Sequence, residues 1–516
     1  MLDPQKLKAQ TRAVIEASAL LLWQCMVRRQ PADRVLAAHM RGHKEFGSRD
    51  RRLISETAYA LFRWWGWLKP LTPPQFLQRL EAAMATELET RNSKLRTNPP
   101  PLDIHAETGG FRVEQWAPVL LGALVIERIE APEMADWWGD ACGISLTELG
   151  YCAAPQRPVT RANRYFDELR KASSKREALN LNVPSDLGLH QTVPAWVAPE
   201  IALPPKELQE LLEWLQRRPP LWVRLQPKFA APADVPSAVP TDSPSPAAGT
   251  AAGAFIDARA AILAELAEAK LVPEPHAKLE NAASTHNTRV NFYTLPAYRE
   301  GRVEIQDLAS QCIGTVCAPK SGERWWDVCA GAGGKSLLLA QLMQGKGVVV
   351  GSDIRAHKLE DLKLRARRGG FFNIMPKPWD GKPVPARKAT YDGVLVDSPC
   401  SCSGTWRRNP AARWSTDLAE VVALAATQLQ ILQAAATGVK PGGVLVYATC
   451  SLFKRENEDV VRAFAESAPE FELEPFAHPL TGMMTPGFVQ FWPWEGDCDA
   501  MFAARFRRKN SGCQNF

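Results

Sequence analysis

Cysteine is scarce in this sequence, and its spacing excludes two classes of protein. The chain has 516 residues and 11 cysteines. Cysteines are therefore far too sparse for a disulfide-rich scaffold. No two of them form the Cys-x-x-Cys spacing that is typical of zinc sites. We therefore expect reduced thiols, a cytoplasmic location and no bound metal.

Long hydrophobic runs are missing as well. No stretch reaches the roughly 18 charge-free apolar residues of a membrane-spanning helix, and residues 1–25 lack the pattern of a secretory signal. We therefore expect no membrane partner. The charge is mildly unbalanced, with 62 Lys+Arg against 56 Asp+Glu and a formal net charge of +6. This balance permits a nucleic-acid partner without arguing for one, and nothing in the sequence implies an oligomer.

Changes of periodicity along the chain predict three domains. Residues 1–185 carry apolar side chains at helical spacing, which predicts an all-α domain. Residues 186–302 mix helical and strand-like segments and predict a small α+β subdomain. Within it, residues 227–254 are rich in Ala, Pro and Ser, so we interpret them as a flexible insertion. Strands alternate with helices over residues 303–516, which predicts an α/β domain with a mostly parallel sheet.

A glycine-rich turn, DVCAGAGGK, follows the first strand of the α/β domain. It is no Walker phosphate loop, because Cys329 stands where that loop needs a glycine. A dinucleotide fingerprint would be incomplete, because Ser336 stands at its third glycine, although Asp353 follows at the distance of a ribose-binding acid. S-adenosylmethionine would use the same acid. This motif alone leaves three interpretations open: S-adenosylmethionine, a dinucleotide, or a tight turn without a ligand.

Two later strands end in loops that carry cysteines. The strand VLVD delivers Asp397, which is followed by Pro399 and Cys400, and the strand VLVYAT ends directly before Cys450. Ligands of parallel sheets bind beyond the carboxyl ends of the strands, so we expect these residues to meet the glycine-rich turn in one crevice. A buried thiol or a capped turn explains each feature alone. Their joint occurrence favours an active site.

Together these motifs resemble the Sun-type RNA (cytosine-5) methyltransferases. The matching segments are GAGGK, Asp353, WDG around Asp380, DSPCS, YATCS and DAMFAARF. The resemblance implies a Rossmann-like class I methyltransferase sheet. The helical N-terminal region resembles the NusB-like RNA-binding domain of the bacterial 16S rRNA branch. Two positions depart from the family pattern, since Ala332 replaces the usual Pro and Ala500 the usual Gly.

The resemblance also implies a role for each motif. Cys450 would be the nucleophile that adds to carbon 6 of cytosine, Cys400 would assist proton loss or elimination, and Asp397 would hydrogen-bond the base. S-adenosylmethionine would be the cofactor, with Asp353 on its ribose and Asp380 on its adenine amine. Besides Asp397, the residues that wrap the cofactor would be Cys329, Ala330, Gly331, Ala332, Gly333, Gly334 and Lys335.

The implied partner is RNA, and 16S rRNA is favoured over tRNA because of the NusB-like region. Arg407 and Arg408 lie in a basic cluster after the DSPCS motif, and we expect them to contact RNA phosphates. Two other functional classes fit the sequence less well. A dinucleotide-dependent oxidoreductase explains neither cysteine, and the presence of both cysteines argues against a non-catalytic RNA-binding assembly factor.

Overall fold

The chain forms two compact units in the computed structural model. The first unit comprises Met1–Arg217 and Trp406–Asp417, and the second comprises Arg218–Thr405 and Leu418–Phe516. The structure describes residues 3–92, 113–151, 156–172, 177, 179, 181–226, 248–287, 290–383 and 390–510. Most of the predicted insertion, residues 227–247, therefore lies outside the described residues.

The first unit is built from helices, and its described residues contain no strand, as the apolar periodicity predicts. Trp64, Trp65 and Trp67 lie in its core and are at most 3% exposed. The helices are α1 (Pro4–Met26), α2 (Ala32–Gly42), α3 (Ser48–Arg63), α4 (Trp65–Leu68), α5 (Pro74–Asn92), α6 (Val113–Glu127), α7 (Pro132–Cys142), α8 (Leu146–Leu149), α9 (Pro158–Lys171) and α10 (Pro205–Trp214). Shorter helical turns are Lys69–Leu71, Leu189–Thr192, Ala198–Glu200 and Ala412–Ser415.

A small antiparallel sheet opens the second unit. Its strands lie in the order β2-β3-β1-β4. Helix α11 packs on it, burying Ile262 and Leu266 in one cluster with Val223 and Ala283. The elements are β1 (Leu221–Leu225), α11 (Ala248–Glu268), β2 (Glu274–Pro275), β3 (Ala282–Thr285), the turn Phe292–Thr294, α12 (Pro296–Arg299) and β4 (Val303–Ile305).

Three details of the predicted domain division change. Helix α11 begins at Ala248, inside the segment predicted to be flexible, because AGTAAGA contains four alanines and Ala is the strongest helix former. Strand β4 pairs with β1, so the small sheet continues past the predicted boundary at residue 302. Residues 186–217 belong to the first unit. The division into three domains itself stays a prediction.

The predicted α/β fold is confirmed by the large sheet of the second unit. Five parallel strands lie in the order β7-β6-β5-β8-β9, and an antiparallel strand, β12, pairs with β9 and is flanked by β10 and β11. Strand order reverses at β5, as in doubly wound Rossmann-like sheets. The strands are β5 (Arg324–Asp327), β6 (Val348–Gly351), β7 (Ile374–Pro376), β8 (Tyr391–Asp397), β9 (Val439–Thr449), β10 (Phe471–Leu473), β11 (Phe488–Phe491) and β12 (Met501–Arg508).

Helices cover both faces of this sheet. Successive side chains of a strand point to opposite faces, so Trp325 packs with α13, α14 and α15, whereas Trp326 packs with α16 and α17. The helices are α13 (Leu308–Cys317), α14 (Gly334–Leu342), α15 (Ala356–Arg368), α16 (Leu418–Ala436) and α17 (Glu458–Ser467). Shorter turns are Ser403–Thr405, Lys454–Glu456 and Pro493–Glu495.

Helix α16 is long and apolar enough to cross a membrane by length and composition alone, and within the described ranges it is the one helix that meets this criterion. Core helices of soluble proteins meet it too. In this fold α16 packs on β8 and β9 and buries Val421, Gln428 and Leu432. The absence of a membrane partner stays a prediction.

Asp327 closes β5 as a fully buried carboxyl group. Ser336 at the start of α14 donates its hydroxyl to Asp327 Oδ2 at 2.6 Å. This bond ties the first strand to the helix that follows it and therefore shapes the turn between them. Burial raises the pKa of Asp327 to about 7, although the bond from Ser336 acts in the opposite direction.

We expect Asp327→Asn to remove one pH dependence of stability. The ordinary pKa of this carboxyl is 3.8, and in the fold it is about 7. Between these pH values the folded state therefore binds more protons than the unfolded state. The wild type therefore loses unfolding free energy as pH rises through this window, by at most about 1.4 kcal/mol per pH unit. Urea denaturation of both proteins should show that the unfolding free energy of wild type falls relative to that of Asp327→Asn as pH rises. A stability difference between wild type and Asp327→Asn that stays constant with pH would contradict the assignment.

Candidate active site

Three neighbouring strands bring the predicted site residues to one edge of the large sheet. Strand β8 lies between β5 and β9, and its last residue, Asp397, stands opposite Ala448 of β9. The loops after these strands carry the glycine-rich turn, Cys400 and Cys450 respectively. Because the carboxyl ends of parallel strands meet at the same edge, residues far apart in sequence become neighbours here.

Two thiols are in contact at this edge. Cys400 Sγ and Cys450 Sγ are 3.4 Å apart. Cys402 adds a third sulfur, and the three Sγ atoms all lie within 4.8 Å of one another. Hydrogen bonds among the thiols raise the pKa of Cys400 and lower that of Cys402. The bond from Cys400 lowers the pKa of Cys450, but Cys402 and burial outweigh it and raise this pKa to about 12.

An ion pair stands beside the thiols. Lys335 Nζ donates to Asp397 Oδ2 at 2.7 Å, and both side chains are largely shielded, at 12% and 28% exposure. Burial raises the pKa of Asp397, although Lys335 opposes this shift. Burial lowers the pKa of Lys335, but Asp397 outweighs it and the net shift is upward. The ammonium group therefore stays charged, and its charge favours the thiolate of Cys450.

Asp353 anchors the glycine-rich turn from the end of β6. The Gly331 amide donates to Asp353 Oδ2 at 3.0 Å, and the Arg355 guanidinium donates to both carboxylate oxygens at 2.9 and 3.0 Å. Burial raises the pKa of Asp353, but these hydrogen bonds outweigh it and lower the pKa. A Cβ at Gly331 or Gly334 would meet no atom within 4 Å, so the turn borders open space beside this acid.

The remaining predicted cofactor residues line the same edge. Gly333 has a φ of 86°, a conformation that favours glycine, and its amide donates to the Ala330 carbonyl at 2.8 Å. Ala332 accepts a hydrogen bond from Arg365 at 2.9 Å. Asp380 follows β7, beside the strand that carries Asp353, and is exposed and paired with Lys382 at 2.7 Å. Cys329 packs against the core that covers one face of the sheet, where burial raises its pKa.

The structure does not support the predicted phosphate contact of Arg407. This side chain is fully buried in the first unit, where its guanidinium lies 5.1 Å from the Trp214 ring centroid and its Nε donates to the Arg217 carbonyl at 3.3 Å. A guanidinium enclosed in this way cannot reach a phosphate, so the prediction for Arg407 is wrong. Arg408 is exposed, and its contact with RNA stays a prediction.

Sequence reasoning missed a buried carboxylate that joins the two cysteine loops. Glu456 is 0% exposed. Its Oε2 accepts hydrogen bonds from the hydroxyls of Ser401 and Ser451, both at 2.5 Å, and its Oε1 accepts from the Ser401 amide and Gln428 Nε2, both at 2.9 Å. Burial raises the pKa of Glu456, and these hydrogen bonds oppose the shift. The carboxylate thus holds the residue after each site cysteine.

Further bonds fix the same two loops. The Leu452 amide donates to Ser403 Oγ at 2.8 Å, and the Gly404 amide donates to the Cys450 carbonyl at 2.9 Å. A signal for this network exists in the sequence, because a serine directly follows the cysteine in both DSPCS and YATCS. The repeated Cys-Ser pair could have indicated that both loops share one hydrogen-bond acceptor.

Comparisons with known proteins agree with this geometry. Residues 314–507 match the family model described as 16S rRNA methyltransferase RsmB/F. The probable ribosomal RNA small subunit methyltransferase B of Bacillus subtilis is 36% identical over 224 residues, which are 41% of this chain and 49% of that protein. The corresponding Salmonella typhi protein, ribosomal RNA small subunit methyltransferase B, is 29% identical over 308 residues, 59% of this chain and 63% of its own length. The chain thus spans about half the length of the first of these relatives.

A solved structure resembles the fold over nearly the whole chain. The crystal structure of the protein PH0851 has a TM-score of 0.64 and 20% sequence identity, and the match covers 96% of this chain and 98% of that one. At this identity the likeness shows the fold alone. The resemblance predicted from the motifs is confirmed over residues 314–507, which are similar to the RsmB/F family model.

Proposed function

We propose that this protein transfers a methyl group from S-adenosylmethionine to carbon 5 of a cytosine in RNA, with 16S rRNA as the favoured substrate. The observation that carries the proposal is the contact of two thiols, Cys400 and Cys450 at 3.4 Å, beside a carboxylate and an ammonium group. The names of the relatives, ribosomal RNA small subunit methyltransferase B, favour rRNA. A tRNA substrate is the alternative, and a non-catalytic RNA-binding factor would leave the paired thiols without a purpose.

The residues around the glycine-rich turn fit S-adenosylmethionine, which when bound supplies a methyl group on a sulfonium centre. Asp353 is buried next to open space at Gly331, so its carboxylate suits a pair of ribose hydroxyls. Arg355 donates to both carboxylate oxygens of Asp353. It would have to release one of these hydrogen bonds when the ribose binds. Asp380 is proposed to bind the adenine amine from the neighbouring strand end.

A thiol can activate the cytosine ring for methylation. Carbon 5 of cytosine is a poor nucleophile, and adding a thiolate at carbon 6 pushes electrons towards it. We assign this attack to Cys450, which follows the end of β9 beside Cys400; the charge of Lys335 lowers its pKa against the larger upward shift from Cys402 and burial. Asp397 is proposed to hydrogen-bond ring nitrogen 3 and the exocyclic amine as charge develops there. The base has to be single-stranded or flipped out for carbon 6 to reach the sulfur.

Cys400 is assigned to the second half of the reaction. After methylation, the proton on carbon 5 has to leave and the bond between carbon 6 and Cys450 has to break. Cys400 Sγ lies 3.4 Å from Cys450 Sγ, close enough to donate its thiol proton to the departing thiolate or, as a thiolate, to accept the proton from carbon 5. Attack and release therefore use different thiols.

The two thiols should respond differently to removal. We expect Cys450→Ala to abolish methyl transfer and to form no covalent complex. We expect Cys400→Ala to attack and methylate but to release product slowly, so that a covalent protein–RNA complex accumulates on ordinary cytosine. Incorporation of a labelled methyl group and denaturing gels of enzyme–RNA mixtures measure both effects. Methyl transfer by Cys450→Ala together with its loss in Cys400→Ala would reverse the assignment.

Asp353→Asn should weaken cofactor binding. Removing the charge from a hydrogen bond of this kind costs about 1.5–3 kcal/mol, which corresponds to roughly 10- to 100-fold in affinity. Isothermal titration calorimetry with S-adenosylmethionine measures the change, and Glu466→Gln, an exposed position on α17, serves as the matched control. Unchanged affinity in Asp353→Asn would rule out the proposed ribose contact.

Glu456→Gln tests whether the buried carboxylate positions the thiols. Glutamine keeps the volume of the side chain, but its amide nitrogen cannot accept a hydrogen bond. Either the hydroxyls of Ser401 and Ser451, or the Ser401 amide and Gln428 Nε2, would therefore lose their acceptor. We expect kcat for methyl transfer to fall by about tenfold or more, with unchanged affinity for S-adenosylmethionine. Glu458→Gln, two residues away, should leave both quantities unchanged. A wild-type kcat in Glu456→Gln would exclude the positioning role.

A further inference from the structure

We propose that Cys400, Cys402 and Cys450 form a binding site for a thiolate-preferring divalent cation, represented by Zn²⁺, which occupies the nucleophile and stops methyl transfer. The binding claim stands on the geometry of the three sulfurs. The claim of inhibition rests on the proposed function, because it requires that Cys450 attack the base.

The positions of the sulfurs suit such an ion. All three Sγ atoms lie within 4.8 Å of one another, and those of Cys400 and Cys450 are 3.4 Å apart. Tetrahedral Zn²⁺ with bonds of about 2.3 Å places its sulfur ligands roughly 3.8 Å apart. Small side-chain adjustments therefore bring the three thiols to ligand distance, while Glu456 keeps the two loops that carry them together.

The third thiol has no role in the proposed reaction. Methyl transfer uses Cys400 and Cys450, which leaves Cys402 unexplained. Cys402 is exposed, so it is no core thiol, and its φ of 56° lies in the left-handed region that favours glycine. A cysteine held in this conformation beside two others supplies the third ligand that a thiolate site needs.

Donor type and charge agree with the assignment. Three sulfur ligands select soft or borderline ions such as Zn²⁺ over Mg²⁺ or Ca²⁺. Three Zn–S bonds form as three thiol protons leave to solvent, and no electron is transferred. The resulting centre carries one net negative charge, and the ammonium of Lys335 stands nearby on Asp397. Three protein ligands leave a fourth position for water.

Cysteine spacing does not predict this site, because no Cys-x-x-Cys pair is present. Cys400 and Cys402 form a Cys-x-Cys pair, and the remaining ligand comes from the end of another strand, 50 residues away from Cys400. Spacing rules that require two close pairs of ligands do not detect a Cys-x-Cys pair with a distant third cysteine. The parallel pairing of β8 and β9 brings these three cysteines together.

Cadmium titration of the full-length reduced protein tests the site directly, because sulfur-to-cadmium charge transfer absorbs in the ultraviolet. We expect wild type to bind one Cd²⁺ per chain at this site and Cys402→Ser to bind it at least tenfold more weakly. Cys142→Ala removes a buried thiol of the first unit and should bind like wild type. Zn²⁺ should inhibit methyl transfer by wild type, a chelator should restore it, and Cys402→Ser should resist inhibition.

Failure of this proposal is distinguishable from failure of the proposed function. Absence of the charge-transfer band in wild type, or equal cadmium affinity in wild type and Cys402→Ser, would overturn the metal site. Neither result depends on methyl transfer. Methyl transfer by Cys450→Ala would overturn the proposed function and the inhibition, while the cadmium titration would still decide whether the ion binds.

Discussion

The buried carboxylate of Glu456 is the interaction on which the thiol site depends. Parallel pairing of β8 and β9 brings two loops to one edge of the sheet, but irregular loops need a further constraint to keep two sulfurs in contact. Glu456 provides it by accepting hydrogen bonds from the serine after each cysteine. These bonds lie among buried side chains, and a shielded environment strengthens them electrostatically. A shared acceptor therefore couples the position of Cys400 to that of Cys450.

Sequence reasoning succeeded where chemistry follows from position in a regular element. The alternation of strands and helices predicted the parallel sheet, and the ends of its strands located Asp353, Asp397, Cys400 and Cys450. It did not reveal Glu456, because a hydrogen bond between residues 55 positions apart depends on how two loops fold and not on periodicity. The start of α11 was placed too late for a related reason, since a composition of Ala, Pro and Ser does not separate helix from linker.

Arg407 shows the limit of reasoning from charge clusters. A run of basic residues indicates local charge but not which side chains face solvent. The segment around Arg407 packs within the helical unit, where Trp214 and backbone carbonyls enclose guanidinium groups, while its neighbour Arg408 is exposed. Cys402 shows a second limit. Its place in a cluster of three thiols depends on Cys450, which is distant in sequence and comes close only in the fold.

We assign the attack on the base to Cys450, and peptide mapping tests this assignment. RNA that carries 5-fluorocytosine at the target cannot lose its substituent after methylation, so the attacking thiol stays bound to carbon 6. Proteolysis of the complex formed with S-adenosylmethionine, followed by mass spectrometry, identifies the modified residue. We expect the nucleotide to be attached to Cys450. Attachment to Cys400 or Cys402, or the absence of any adduct, would contradict it.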